Sequence, residues 1–146
     1  MYKAIVWSTD GSRHAERALP HVKELAKAEG ATITIVHVVE RIEGGGAVGV
    51  PRRADEPEVQ AKLQDLAAEL SQEGFSVSLI VRGDVGARPA HEVVEAAREV
   101  DADLIVVGSR GLGAISGLLL GSVAHRLLHI APCPVLVVPA ERAERW

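Results

Sequence analysis

The stretch Val106–Val138, VVGSRGLGAISGLLLGSVAHRLLHIAPCPVLVV, decides how this chain reads. An apolar run, Leu104–Val107, delivers the backbone into Gly108, and Gly111 follows three residues on. After nine further residues come Gly121 and Ser122, where a helical pattern begins. Glycines after a strand let backbone N–H groups come close to an anion and permit φ > 0. The free N–H groups and positive dipole end of the next helix face the same anion. Ser122 adds a hydroxyl at that helix start. The pattern is G-x2-G-x9-G-S. It is neither the P-loop, because no lysine follows Gly121, nor the dinucleotide fingerprint, whose glycines are spaced differently and follow the first strand.

Working outward, apolar runs alternate with helical patterns along the whole chain. Lys3–Ser8 reads as a strand, Thr9–Ser12 as a turn with Ser12 as N-cap, and residues 13 to 29 as helix. Pro20 lies inside that helical pattern, which predicts a kink or a short helix abutting a second one. Ala31–Val39 reads as the second strand. Glu40–Asp55, with its glycine triplet, reads as a long flexible connection. A helix over Glu58–Glu73, a strand over Phe75–Arg82, a turn over Gly83–Arg88 and a helix from Pro89 to about Val100 follow. Asp103–Val107, the helix Ser122–Ile130 and the strand Val135–Val138 complete the series. Alternating strands and helices imply βαβ units and an open parallel sheet with helices on both faces, a Rossmann-like α/β fold. In such sheets ligands sit beyond the carboxyl ends of the strands.

Composition narrows the function. At 146 residues the chain is expected to form one domain over residues 1–146, and 47% hydrophobic residues support a packed core. Aromatics are only 3% and the formal net charge is −4, which speaks against stacking platforms and basic footprints for nucleic acid. Cys133 alone can form neither an internal disulfide nor a cysteine-rich zinc site, and it reads as a small buried hydrophobe. No signal-peptide pattern follows Met1, and no apolar run approaches the roughly 18 residues of a membrane span. The expectation is a cytoplasmic protein that engages neither membrane nor nucleic acid.

The glycine spacing with Ser122, the opening AIVWSTDGS (Ala4–Ser12), ITIVHVVE (Ile33–Glu40) and the ending CPVLVV (Cys133–Val138) together resemble the universal stress protein family. The glycine spacing is similar to that of its ATP-binding branch. The resemblance implies sheet order 3-2-1-4-5 for the five strands in chain order, a homodimer pairing through Val135–Val138, and ATP, carrying Mg²⁺, as ligand. The implied binding set is Thr9, Asp10, Val38, Val107, Gly108, Arg110, Gly111, Gly121, Ser122 and Val123. Val38 is carried over as an adenine-side wall, and the Gly108–Ser122 loop holds phosphates.

The residues themselves leave alternatives open. The Asp10 carboxylate suits a helix cap, acceptance from ribose or adenine, or a phosphate-bound Mg²⁺ held through water. Arg110 has reach to phosphate. Arg52 and Arg53 read as solvated residues that can close over a triphosphate. His125 and His129 share a helix face, yet no H-E-x-x-H is present and they read as a polar face. No nucleophile elbow, triad or carboxylate pair stands out. The reading is therefore an ATP-binding stress-response or regulatory switch, at most slowly hydrolytic, with an unidentified protein partner. The rivals are an ATP hydrolase or nucleotidyl-transfer enzyme, and a nucleotide-free dimeric scaffold.

Overall fold

The structure is a computed structural model and describes residues 1–44, 46–110 and 120–140. Five parallel strands form the main sheet: β1 (Ala4–Ser8), β2 (Thr32–Val38), β5 (Ser76–Arg82), β6 (Leu104–Gly108) and β7 (Val135–Val138). Their order is β5-β2-β1-β6-β7. Counted among these five, that is the expected 3-2-1-4-5. Consecutive β1 and β2 pair directly, whereas β6 lies on the other side of β1, so the strand order reverses at β1.

Each sheet face buries an aliphatic layer. On one side Ile5, Trp7, Ile33, Ile35, Val106 and Val138 pack under α2 (Leu19–Glu29) and α3 (Glu56–Gln72). On the other, Val6, Val36, Ile105 and Val107 pack under α4 (Pro89–Glu99) and α5 (Ser122–Ile130). β1 and β6 alternate between the two layers and are buried throughout apart from Ala4, which is why their sequences are apolar runs rather than alternations.

Pro20 splits the first helical pattern as one of the two expected outcomes. A short α1 (Arg13–Glu16), capped by Ser12 Oγ accepting from Ala15 N at 3.2 Å, gives way to α2 with Pro20 in its first turn. There the missing N–H needs no partner.

The segment expected to be a flexible connection is different. It carries an antiparallel hairpin, β3 (Arg41–Gly44) with β4 (Ala47–Pro51), pairing Arg41 with Pro51 and Ile42 with Val50. An isolated two-stranded hairpin is marginal in water. This one is tied down. Arg41 bridges to Val85 and donates from Nη1 to the Gly49 carbonyl at 2.6 Å, and Arg52 N donates to the Glu40 carbonyl at 2.9 Å. Its glycines break strand alternation, so the sequence reads as loop. The next helix starts at Glu56 rather than Glu58, with Pro57 in its first turn, where the missing N–H needs no partner.

Candidate functional site

Register brings three strand ends together. Ser8 pairs with Val36 on one side and Val107 on the other, so Thr9 and Asp10 leave β1 between the end of β2 at Val38 and the end of β6 at Gly108. Thr9 N donates back to the Val36 carbonyl at 3.0 Å. Of the residues expected to bind nucleotide, Thr9, Asp10, Val38, Val107 and Gly108 are thus gathered at the carboxyl edge, at the reversal of strand order. Gly111 lies outside the described residues, as does Gly113.

The β1 end is shaped by its own side chains. Gly11 N donates to Thr9 Oγ1 at 3.0 Å, and Ser12 N donates to Asp10 Oδ1 at 2.9 Å. Gly11 has φ +78°, and a Cβ there would lie 2.7 Å from Val59 Cγ1 on α3. A left-handed backbone pressed against a buried valine requires glycine.

The β6 end is built from backbone. Neither Gly108 nor Gly121 has a positive φ. Close approach explains them instead. A Cβ on Gly108 would sit 3.1 Å from the His14 carbonyl and 3.3 Å from Ala15 Cα, and one on Gly121 would sit 3.1 Å from the Ser109 carbonyl. Gly121 N donates to that Ser109 carbonyl at 2.5 Å, Ser109 N donates to the Val138 carbonyl at 2.8 Å, and Ser109 Oγ accepts from Ala140 N at 2.9 Å. Buried Ser109 therefore ties the departure from β6 to the start of α5 and to the end of β7. Sequence reasoning passed over Ser109, because nothing local marks it.

α5 begins at Ser122 with Gly121 as N-cap and no side-chain cap. Its first backbone donors, at Ser122 and Val123, have no acceptor within the helix. Ser122 is exposed, Val123 half-buried and Arg110 half-buried at the rim. These donors, the helix dipole and a cap position without a side chain suit a phosphate. Among the described residues no group of three or more His, Cys, Asp or Glu is placed to hold a metal. Asp10 supplies a carboxylate at this edge that would suit a Mg²⁺ brought in on phosphates.

Arg52 is exposed and donates to Glu40 Oε2 at 3.4 Å. Arg53 departs from the solvated reading. It donates from Nη1 to the Asp10 carbonyl at 2.5 Å and from Nε and Nη2 to the two Asp55 carboxylate oxygens, both at 2.8 Å. Hydrogen bonding to Asp55 raises the Arg53 pKa against a desolvation that lowers it, and the charges of Asp55, Asp10 and Glu56 add to the rise. The same pairing lowers the Asp55 pKa. His37 was also missed. It is buried, with Nδ1 3.0 Å from the Thr9 carbonyl and Nε2 2.8 and 3.0 Å from the two oxygens of buried Glu56. A histidine inside an apolar run was the signal, but its partner lies 19 positions away.

His125 and His129 meet edge to face, ring centroids 5.0 Å apart, and both are exposed. Cys133 packs against the α4–α5 layer, where burial raises its thiol pKa, with the Asp103 charge adding to the rise. That favours the neutral thiol over the reactive thiolate.

The universal stress protein family matches residues 1–139. This chain belongs to the universal stress protein family. A universal stress protein of Thermus aquaticus is 38% identical, over 94% of this chain and 99% of its own length. The solved structure of protein MJ0577 of Methanocaldococcus jannaschii superposes with a TM-score of 0.80 at 28% identity, covering 98% of this chain and 99% of that one. A universal stress protein solved in complex with cAMP gives 0.65 at 31% identity, covering 96% and 98%. One from Archaeoglobus fulgidus in complex with dAMP gives 0.65 at 30% identity, covering 94% and 98%. Among the described residues no helix is long and apolar enough to cross a membrane.

Proposed function

We propose that this universal stress protein binds an adenine nucleotide, ATP with its Mg²⁺, across the ends of β1, β2 and β6, and acts as a nucleotide-responsive regulatory switch. The supporting observation is that Thr9, Asp10 and Val38 leave the sheet beside Gly108 at the reversal of strand order, with the start of α5, which has no side-chain cap, tied back to Ser109 through Gly121 N. Adenine and ribose take the Asp10–Val38 side. Phosphates take the Gly108–Val123 side, with Arg110 and Gly111 as further members of the binding set. The cAMP and dAMP complexes of similar proteins support an adenine ligand.

The chain acts as one domain in the cytoplasm and pairs with a second copy through β7. Among the described residues that strand is bonded only to β6, and its Leu136 is 36% exposed. An open apolar edge strand favours such pairing.

Calorimetric titration of nucleotide-stripped protein tests the proposal, with ATP and Mg²⁺ against AMP, cAMP and GTP, and with Gly121→Val alongside. Stoichiometric ATP binding lost in the variant is the expected result. Turnover on the order of 1 s⁻¹ or faster that collapses in Asp10→Ala marks an enzyme instead. No binding by folded protein at millimolar nucleotide leaves the dimeric scaffold.

A further inference from the structure

Two neighbouring carbonyls of the β1 turn each face a side-chain nitrogen, and each of those side chains is backed by a carboxylate at the start of α3. At Thr9 the nitrogen is His37 Nδ1 and the support is Glu56. At Asp10 it is Arg53 Nη1 and the support is Asp55.

Proton counting fixes the first arrangement. A carbonyl only accepts, so His37 Nδ1 carries hydrogen. One further proton must then lie between Nε2 and Glu56, whether as imidazolium with carboxylate or as neutral imidazole with carboxylic acid. Either way the buried pair has no net charge and both contacts are satisfied. Val59, one turn further along α3, packs against Gly11, so three consecutive residues of the turn are met from α3 or from a side chain it supports. The turn's own hydrogen bonds, Gly11 N to Thr9 Oγ1 and Ser12 N to Asp10 Oδ1, set its shape. Thr9 N, donating to the Val36 carbonyl at 3.0 Å, ties the start of the turn to β2, but none of these bonds sets the place of Asp10 relative to β6.

We propose that Arg53 and the Glu56–His37 pair are positioning residues. They hold the Thr9–Asp10 turn where its carboxylate meets the nucleotide, without touching the ligand themselves. The proposal rests on the adenine-nucleotide reading of the site.

The test is ATP and AMP titration of wild type, Arg53→Ala, Glu56→Ala and Glu56→Gln. Thermal melting and amide hydrogen exchange at Gly11 and Ser12 are measured on the ligand-free proteins. Arg53→Ala and Glu56→Ala each weaken binding about tenfold, equivalent to about 1.4 kcal/mol, because the Asp10 turn loses its hold, and exchange at Gly11 and Ser12 accelerates. Glu56→Gln binds within about twofold of wild type, because its amide donates to His37 Nε2 while Nδ1–H stays on Thr9.

Wild-type affinity and unchanged exchange in both alanine variants, with only the melting temperature lowered, overturn the proposal. So does equal loss in Glu56→Gln and Glu56→Ala. If wild type itself binds no adenine nucleotide, the site reading fails on that result alone. The exchange data still decide whether the turn is held from α3: unchanged rates overturn the clamp, and faster rates uphold it.

Discussion

The two halves of the candidate site are made by opposite means. The β1 half is locked by side chains from distant positions, His37, Arg53 and Glu56, together with Val59 packed on Gly11. The β6 half is backbone meeting backbone. Gly108 lies against α1, Gly121 donates to Ser109, and α5 starts on Gly121 with no side-chain cap. A side-chain lock concentrates free energy in a few buried polar contacts, so single substitutions there remove much stability. A backbone cradle spreads it over close contacts, so the harm comes from adding atoms.

The largest expected effect follows from the lock. His37→Leu leaves buried Glu56 with Gln60 Nε2, 3.3 Å from its Oε2, in place of the imidazole, which costs about 3–5 kcal/mol, read as a lower urea midpoint. Adding Glu56→Leu to that variant recovers most of the loss, since an apolar pair is tolerated where a buried polar group stripped of its partner is not. Failure to recover shifts the account from buried polarity to shape.

Next comes Gly11→Ala, which forces a side chain into a left-handed backbone and against Val59. It is expected to lose about 1–3 kcal/mol. Gly108→Ala meets only contacts of 3.1 to 3.3 Å and loses less. Its nucleotide affinity falls further than its stability does, because the phosphate side moves while the core stays packed. Similar proportional losses at both glycines would erase the distinction between the halves.

The smallest effect lies away from the site and calibrates the others. Asp103 joins the starts of β1 and β6 by accepting from Lys3 N at 2.8 and 3.1 Å and from Ala4 N at 3.1 Å. Desolvation raises its pKa, but these backbone donors, its own N–H and the N-terminal charge outweigh that and hold the pKa below the ordinary carboxylate value. A lowered folded-state pKa gives stability that is present above the unfolded pKa and lost as pH falls through the folded one. Asp103→Asn therefore lowers the melting temperature slightly at neutral pH, and the difference from wild type closes in acid.

The sequence carried the backbone half and the sheet almost entirely. Ser122–Ile130 and Val135–Val138 have the expected bounds, and Gly108 and Gly121 stand where their spacing placed them, although for close approach rather than for φ. Glycine spacing and apolar runs are local signals. The side-chain half was not legible, because His37, Arg53 and Glu56 acquire meaning only when β2 and the start of α3 meet at the β1 turn. The β3–β4 hairpin escaped for a related reason. Its glycines break alternation, and its support comes from Val85, far along the chain.

The central claim is that one adenine nucleotide spans both halves. Following backbone amide shifts of ¹⁵N-labelled protein during an ATP–Mg²⁺ titration tests it most directly. The account predicts saturable shifts at Thr9 to Ser12, at Val38 and Val39, at Gly108 to Arg110 and at Gly121 to Val123, all with one dissociation constant. Shifts confined to other surfaces, or none at millimolar ATP from folded protein, would contradict it.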